Sequence, residues 1–386
     1  MQNEIQTELK YIQTSTFDHE DFTFLFGAEI VQKDLEQWVL GSIHLFDEEI
    51  LIPPTIRSFK QGDFFRMKNH SRSCCYNPSP ENSQSVICIK GCEIFSPDFE
   101  DNLRRLEDSG LGPMGPNLFE HFITVEQKIP SCLTFTEAFR EANIAAEVQE
   151  KYIEAYREFA PLPLPIRVFK LPEEVCLHLE KKYQKVASKE YYNDFTSILR
   201  LHGLGIYIYL YPVNPTRVKN LDHSLPIEHP RDRQKTLSAI ISEPENVVYD
   251  WITLFARLLC IGYLPATSRA MFTGVLCDVN NAAIGGGFCD VGSIEKISDI
   301  NSDRIILEGI QMSFDSLCES ILQFLAGPHK RNSRSKHSLN YLKLWIYARL
   351  CEDIEINRFQ INPVISAFFN KKRDLKEMLE QFYVYY

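Results

Sequence analysis

The chain has 386 residues, 44% of them apolar and 12% aromatic, which is enough to bury a core and too many for one small domain. Its 26 Phe and 17 Tyr against 17 Gly exclude a low-complexity polymer, which lacks the aromatic surface needed to offset ordering entropy. A net charge of −11 argues against a general phosphate-backbone binder, so nucleic acid is unsupported as a partner.

No run of about 18 apolar residues exists, and residues 1–10 mix polar groups with both signs of charge. Neither a membrane span nor a secretory signal is therefore expected. The 11 cysteines read as reduced thiols, giving an expected cytoplasmic location. Cys74 and Cys75, and Cys88 with Cys92, lack a second pair at zinc-binding spacing.

In chain order, short apolar runs at 38–40, 43–46 and 50–52, followed by Pro53 and Pro54, predict a sheet-rich start. Residues 69–85 are polar, with Pro78 and Pro80, and are predicted to form a loop before a short strand from Val86 to Lys90 that Gly91 ends. A short helix is predicted over 99–106. The glycines at 110, 112 and 115 that follow it match a phosphate-loop pattern but come after a helix rather than a strand, and so read as cap and loop.

A longer helix is predicted over 134–159, with Thr134 or Thr136 as its cap, stopped by the prolines at 161–165. Residues 203–211 alternate Ile206, Ile208 and Leu210 with Tyr207, Tyr209 and Tyr211, the period of a strand. Residues 214–235 read as a connector between two lobes. After it the chain reads as mostly helical, beginning with an amphipathic helix over 246–260.

One glycine-rich patch interrupts the helices, Gly274-Val275-Leu276-Cys277-Asp278-Val279-Asn280-Asn281 and then Gly285-Gly286-Gly287 to Asp290-Val291-Gly292. Two short strands with a glycine turn would put Asn281 and Asp290 at the ends of one hairpin.

Phosphoryl and nucleotidyl transfer require the phosphate charge to be neutralised and held, which in protein kinases falls to a strand lysine, a helix glutamate and two metal ligands. Lys90 ends an apolar strand, although alone it also fits an edge-strand lysine. Glu137, Glu141 and Glu147 on the next helix are its candidate partners. Asn281 and Asp290 supply hard oxygens of the kind magnesium or manganese takes, although Asp290-Val291-Gly292 also fits an ordinary turn. His178 and His202 read as packed or surface residues, and Arg217 with Arg231-Asp232-Arg233 as possible nucleotide contacts at the lobe junction.

Lys90-Gly91 after Val86-Ile87-Cys88-Ile89, together with Gly274-Val275-Leu276 running into Asn281, Ile284, Gly286 and Asp290-Val291-Gly292, resembles the kinase-like selenoprotein O (YdiU-type) proteins. These use a kinase fold to transfer AMP from ATP to protein side chains. The resemblance implies that Lys90 contacts phosphates, that Glu141 pairs with it with Glu137 as runner-up, and that Asn281 and Asp290 hold the metal. Where that family has an aspartate directly before the asparagine, this chain has Asn280, and Asp278 two positions earlier is the candidate base.

The expected fold is α+β and two-lobed, protein-kinase-like, with a sheet-containing N-terminal lobe over 1–212 and a mainly helical C-terminal lobe over 213–386. ATP would bind at the lobe junction with Mg2+ or Mn2+. The expected activity is transfer of AMP or phosphate to a protein or small-molecule acceptor. A small-molecule phosphotransferase and a pseudokinase-type binding module are the alternatives.

Overall fold

The computed structural model describes residues 11–12, 64–65, 73–76, 86–91, 133–171, 173–186, 189–211, 213, 217–218, 237, 241, 243–265, 276–277, 279, 281–326, 335–356 and 362–371. The fold is α+β, and the chain clusters into two compact units. The first comprises 1–146 and 164–211, the second 147–163 and 212–386. The second unit takes up the chain at Pro212 and also includes 147–163, the end of the helix predicted over 134–159.

The first unit is built on a six-stranded antiparallel sheet of β1 (Tyr11–Ile12), β2 (Phe64–Phe65), β3 (Ser73–Tyr76), β4 (Val86–Lys90), β5 (Leu164–Lys170) and β6 (Gly205–Tyr211). Its order is β1-β5-β6-β4-β3-β2. β4 is therefore interior, with Lys90 opposite Ser73 on one side and Tyr207 on the other. The edge-strand reading of Lys90 is corrected by this register. All seven residues of β6 are buried, so the alternation of Ile and Tyr marks a strand covered on both faces rather than one wetted on its tyrosine side.

Helix α1 (Phe135–Tyr156) starts on a capping motif, with the Thr134 hydroxyl accepting the Glu137 N–H at 3.1 Å, which selects Thr134 over Thr136 as the cap. Ala138 and Ala142 are fully buried, and the small side chains bring the start of α1 close to the sheet. Gly205 makes that approach possible. A Cβ there would lie 2.8 Å from the Phe135 Cα and 3.1 Å from the Ala138 Cβ. Gly205→Ala is expected to cost roughly 1–3 kcal/mol by overpacking, read as a lower urea midpoint with an unchanged slope.

Helices α2 (Glu173–Val186) and α3 (Lys189–His202) complete the described part of this unit, tied by Arg200 to Glu180 at 2.8 Å. The His202 ring meets the Thr136 hydroxyl at 3.0 Å.

The second unit contains α4 (Pro244–Cys260), a short ladder of β7 (Tyr263–Leu264) with β8 (Glu295–Lys296), and helices α5 (Asp303–Ala326), α6 (Ser335–Ile356) and α7 (Pro363–Lys371). α4 begins with Pro at its first turn and buries Trp251, Phe255, Leu258 and Leu259. Residues 335–337, the end of the basic stretch 329–337, open α6. Gln149 is fully buried and binds both the N–H and the carbonyl of Ala160 and the carbonyl of Leu162, which satisfies the backbone of that turn. Among the described residues no helix is long and apolar enough to cross a membrane.

Candidate functional site

An apolar run with β-branched residues forms β4, and Gly91, at φ 98°, turns the chain immediately after Lys90. A Cβ on Gly91 would lie 2.5 Å from the Gly205 carbonyl oxygen, so glycine is required there for both conformation and space. Lys90 is 7% exposed and Glu141 3% exposed. The Lys90 Nζ lies 2.7 Å from both carboxylate oxygens of Glu141, so one ammonium is gripped by two charge-assisted bonds.

Of the three glutamates open from the sequence, Glu141 is the partner. Glu137 lies in the first turn of α1, where its backbone is capped by Thr134. Glu147 accepts instead from Lys296 at 2.9 Å and from the Tyr263 hydroxyl at 3.2 Å, in the second unit. Those contacts hold the β7–β8 ladder and raise the Tyr263 pKa, chiefly through burial and then through the Glu147 charge.

The hairpin of the second unit is formed around the three glycines. Ala282 bridges Phe288, the Cys289 N–H donates to the Asn281 carbonyl at 2.8 Å, and the Ala283 N–H to the Gly287 carbonyl at 2.9 Å. Gly286 closes the turn at φ 89°. Asn281 and Asp290 consequently stand at its two ends, Asp290 one residue past the paired Cys289. Asn281 is buried and Asp290 half-exposed. The Asp290 Oδ1 accepts the Gly292 N–H at 3.1 Å, so the turn reading of Asp290-Val291-Gly292 holds.

No family model, no curated protein and no solved structure matches this chain.

Asp278 and Asn280 lie outside the described residues, as do 99–106, 110–115 and 231–233. Arg217 is placed by its backbone, which bridges Ala283 beside the hairpin. Among the described residues no group of three or more His, Cys, Asp or Glu gathers as a metal cage. Asn281 and Asp290 fit a different arrangement, in which magnesium takes one or two protein oxygens and completes its shell with water and substrate phosphates.

In sequence, Trp251 is one residue on the apolar face of the helix predicted over 246–260. Its indole N–H donates to the Ala283 carbonyl at 3.0 Å within the core. The signal available was chemical: a buried tryptophan needs an acceptor for its N–H.

Proposed function

We propose that this chain is an ATP- and metal-dependent transferase of protein-kinase-like, two-lobed fold, which moves AMP or phosphate to a protein or small-molecule acceptor. The observation that carries the reading is the buried Lys90–Glu141 pair. Taking both charges out of water costs several kcal/mol, and a well-packed apolar pair would serve the core as well or better. An ammonium fixed by a helix carboxylate at the end of a strand is the device by which kinases hold ATP phosphates.

The order of parts adds support: lysine strand, glutamate helix, tyrosine-rich strand, apolar helix, then an asparagine-to-aspartate hairpin. In this reading Lys90 binds phosphate oxygens and Glu141 orients it. Asn281 and Asp290 would hold the metal, which when bound neutralises charge on the phosphates. Asp278, the nearest acid before Asn281 in sequence, is the candidate to accept the acceptor's proton, because Asn280 occupies the position before Asn281. That asparagine favours a second reading, a nucleotide-binding module without turnover.

ATP labelled at the α- or the γ-phosphate, incubated with the protein and magnesium, with and without cell extract, tests the proposal. Retained α-label marks AMP transfer and retained γ-label phosphoryl transfer, to a macromolecular or small acceptor according to product size. No retained label with an ATP-dependent rise in melting temperature leaves the binding module, because a ligand of the folded state alone stabilises it. Neither label nor rise overturns both.

A further inference from the structure

Two buried side-chain donors, on two different helices, grip backbone carbonyls on either side of Asn281. The Trp251 Nε1 of α4 donates to the Ala283 carbonyl at 3.0 Å, and the Ser320 hydroxyl of α5 donates to the Cys277 carbonyl at 2.6 Å. Trp251, Ser320, Cys277 and Ala283 are all fully buried. The Trp251 ring is itself fixed, stacked on Phe288 of the hairpin and edge-on to Phe324 of α5. One donor therefore holds the chain as it enters the Asn281 segment and the other as it leaves.

The next residue of α4 towards its start adds a steric stop. A Cβ on Gly286 would lie 2.6 Å from the Asp250 Oδ2, so the glycine turn sits directly against that carboxylate. Burial raises the Asp250 pKa, with the Arg257 charge opposing. The backbone on the other side is held as well, by the Val218 N–H donating to the Ala282 carbonyl at 2.8 Å.

We infer that Trp251 and Ser320 are positioning residues for the metal-binding hairpin, fixing the spacing of Asn281 and Asp290 and with it the affinity for a divalent cation. The inference rests on the proposed reading of Asn281 and Asp290 as metal ligands. The physical ground is that ligand oxygens hold a small cation well only when the groups behind them are fixed, and losing such a support typically lowers metal affinity about 10- to 100-fold. The hairpin is held internally by backbone bonds, from Cys289 to Asn281 and from Ala283 to Gly287. Its glycines at 285–287 offer no side chains, so side-chain support comes from the helices.

The test is binding of Mn2+ with ATP to the protein, followed by the enhancement of water-proton relaxation over a protein-free Mn2+–ATP control, for Trp251→Phe, Ser320→Ala, Asp290→Asn and Ile310→Val. Trp251→Phe keeps an aromatic ring and removes the N–H. Ser320→Ala removes only the hydroxyl and covers the case in which the first variant folds poorly. Ile310→Val, at another fully buried α5 position, supplies a loss of core packing without touching the grip.

The expected result is a dissociation constant for Mn2+ raised about tenfold or more in Trp251→Phe and Ser320→Ala, with Ile310→Val like the parent protein. Parent-like binding in both grip variants while Asp290→Asn loses Mn2+ overturns the inference alone. An equal loss in Ile310→Val also overturns it, since the effect then follows stability and not position. Parent-like binding in Asp290→Asn, or no Mn2+ bound by the parent protein, removes the ligand assignment and the inference together.

Discussion

Lys90→Met is expected to cost about 3–5 kcal/mol of folding stability, because it leaves the carboxylate of Glu141 buried without that cation. Glu141 is only 3% exposed, so water has little access to replace the ammonium. The double variant Lys90→Met/Glu141→Leu should regain most of the loss, since apolar residues of similar volume often replace a buried ion pair without net cost. Function separates from stability at this point. Under the proposed function, ATP with magnesium should raise the melting temperature of neither variant, because the charge proposed to bind phosphate is gone in both. Urea denaturation gives the first comparison and a thermal titration with ATP the second. A double variant that is stable and still responds to ATP like the parent would make the pair purely structural.

The parts of the site most legible in the sequence were those set by local chemistry. Val86 to Lys90 is an apolar run ended by Gly91, and the strand has those limits, whereas the polar stretch 69–85 read as a loop contains β3. The start of α1 follows from a threonine cap at 134 or 136, and Thr134 takes that place by accepting the Glu137 N–H. The hairpin follows from three consecutive glycines between short apolar runs. Each of these signals lies within a few residues of the feature it specifies.

The rest depended on long-range packing. The prolines at 161–165 read as a stop, and β5 begins among them at Leu164. Pro165 is tolerated because the ladder shifts register between Pro165 and Arg167, where a missing N–H is least costly. The choice of Glu141 over Glu137 and Glu147 was open from spacing alone, since all three lie on one helix. It is fixed by residues far along the chain: Gly205, which lets the start of α1 approach the sheet, and Lys296 with Tyr263, which engage Glu147. The roles of Trp251 and Ser320 were hidden for the same reason, because their acceptors are 32 and 43 residues away.

Asp290→Asn is expected to lower transfer by roughly 100-fold or more while leaving the fold close to intact, on the scale seen when one charge-stabilising group is removed from an active site. The fold should survive for a specific reason. The Asp290 oxygen accepts the Gly292 N–H, and the asparagine amide oxygen can accept the same bond, so the turn keeps its support. Asp290 is half-exposed, and a substitution there that fills the same volume should change stability by no more than about 0.5 kcal/mol. What the substitution removes is charge. A protein of net charge −11 gains nothing by presenting a carboxylate to a triphosphate unless a cation separates them. With the cation in place the carboxylate is an attractive ligand, and without it the carboxylate repels the substrate. Chelation of the metal should therefore reproduce the defect in the parent protein and add little to that of Asp290→Asn. Transfer measured with labelled ATP, alongside a urea denaturation of each protein, checks both halves. Parent-level transfer by Asp290→Asn, or full activity in excess chelator, would leave the hairpin as a glycine turn and Asp290 as its cap.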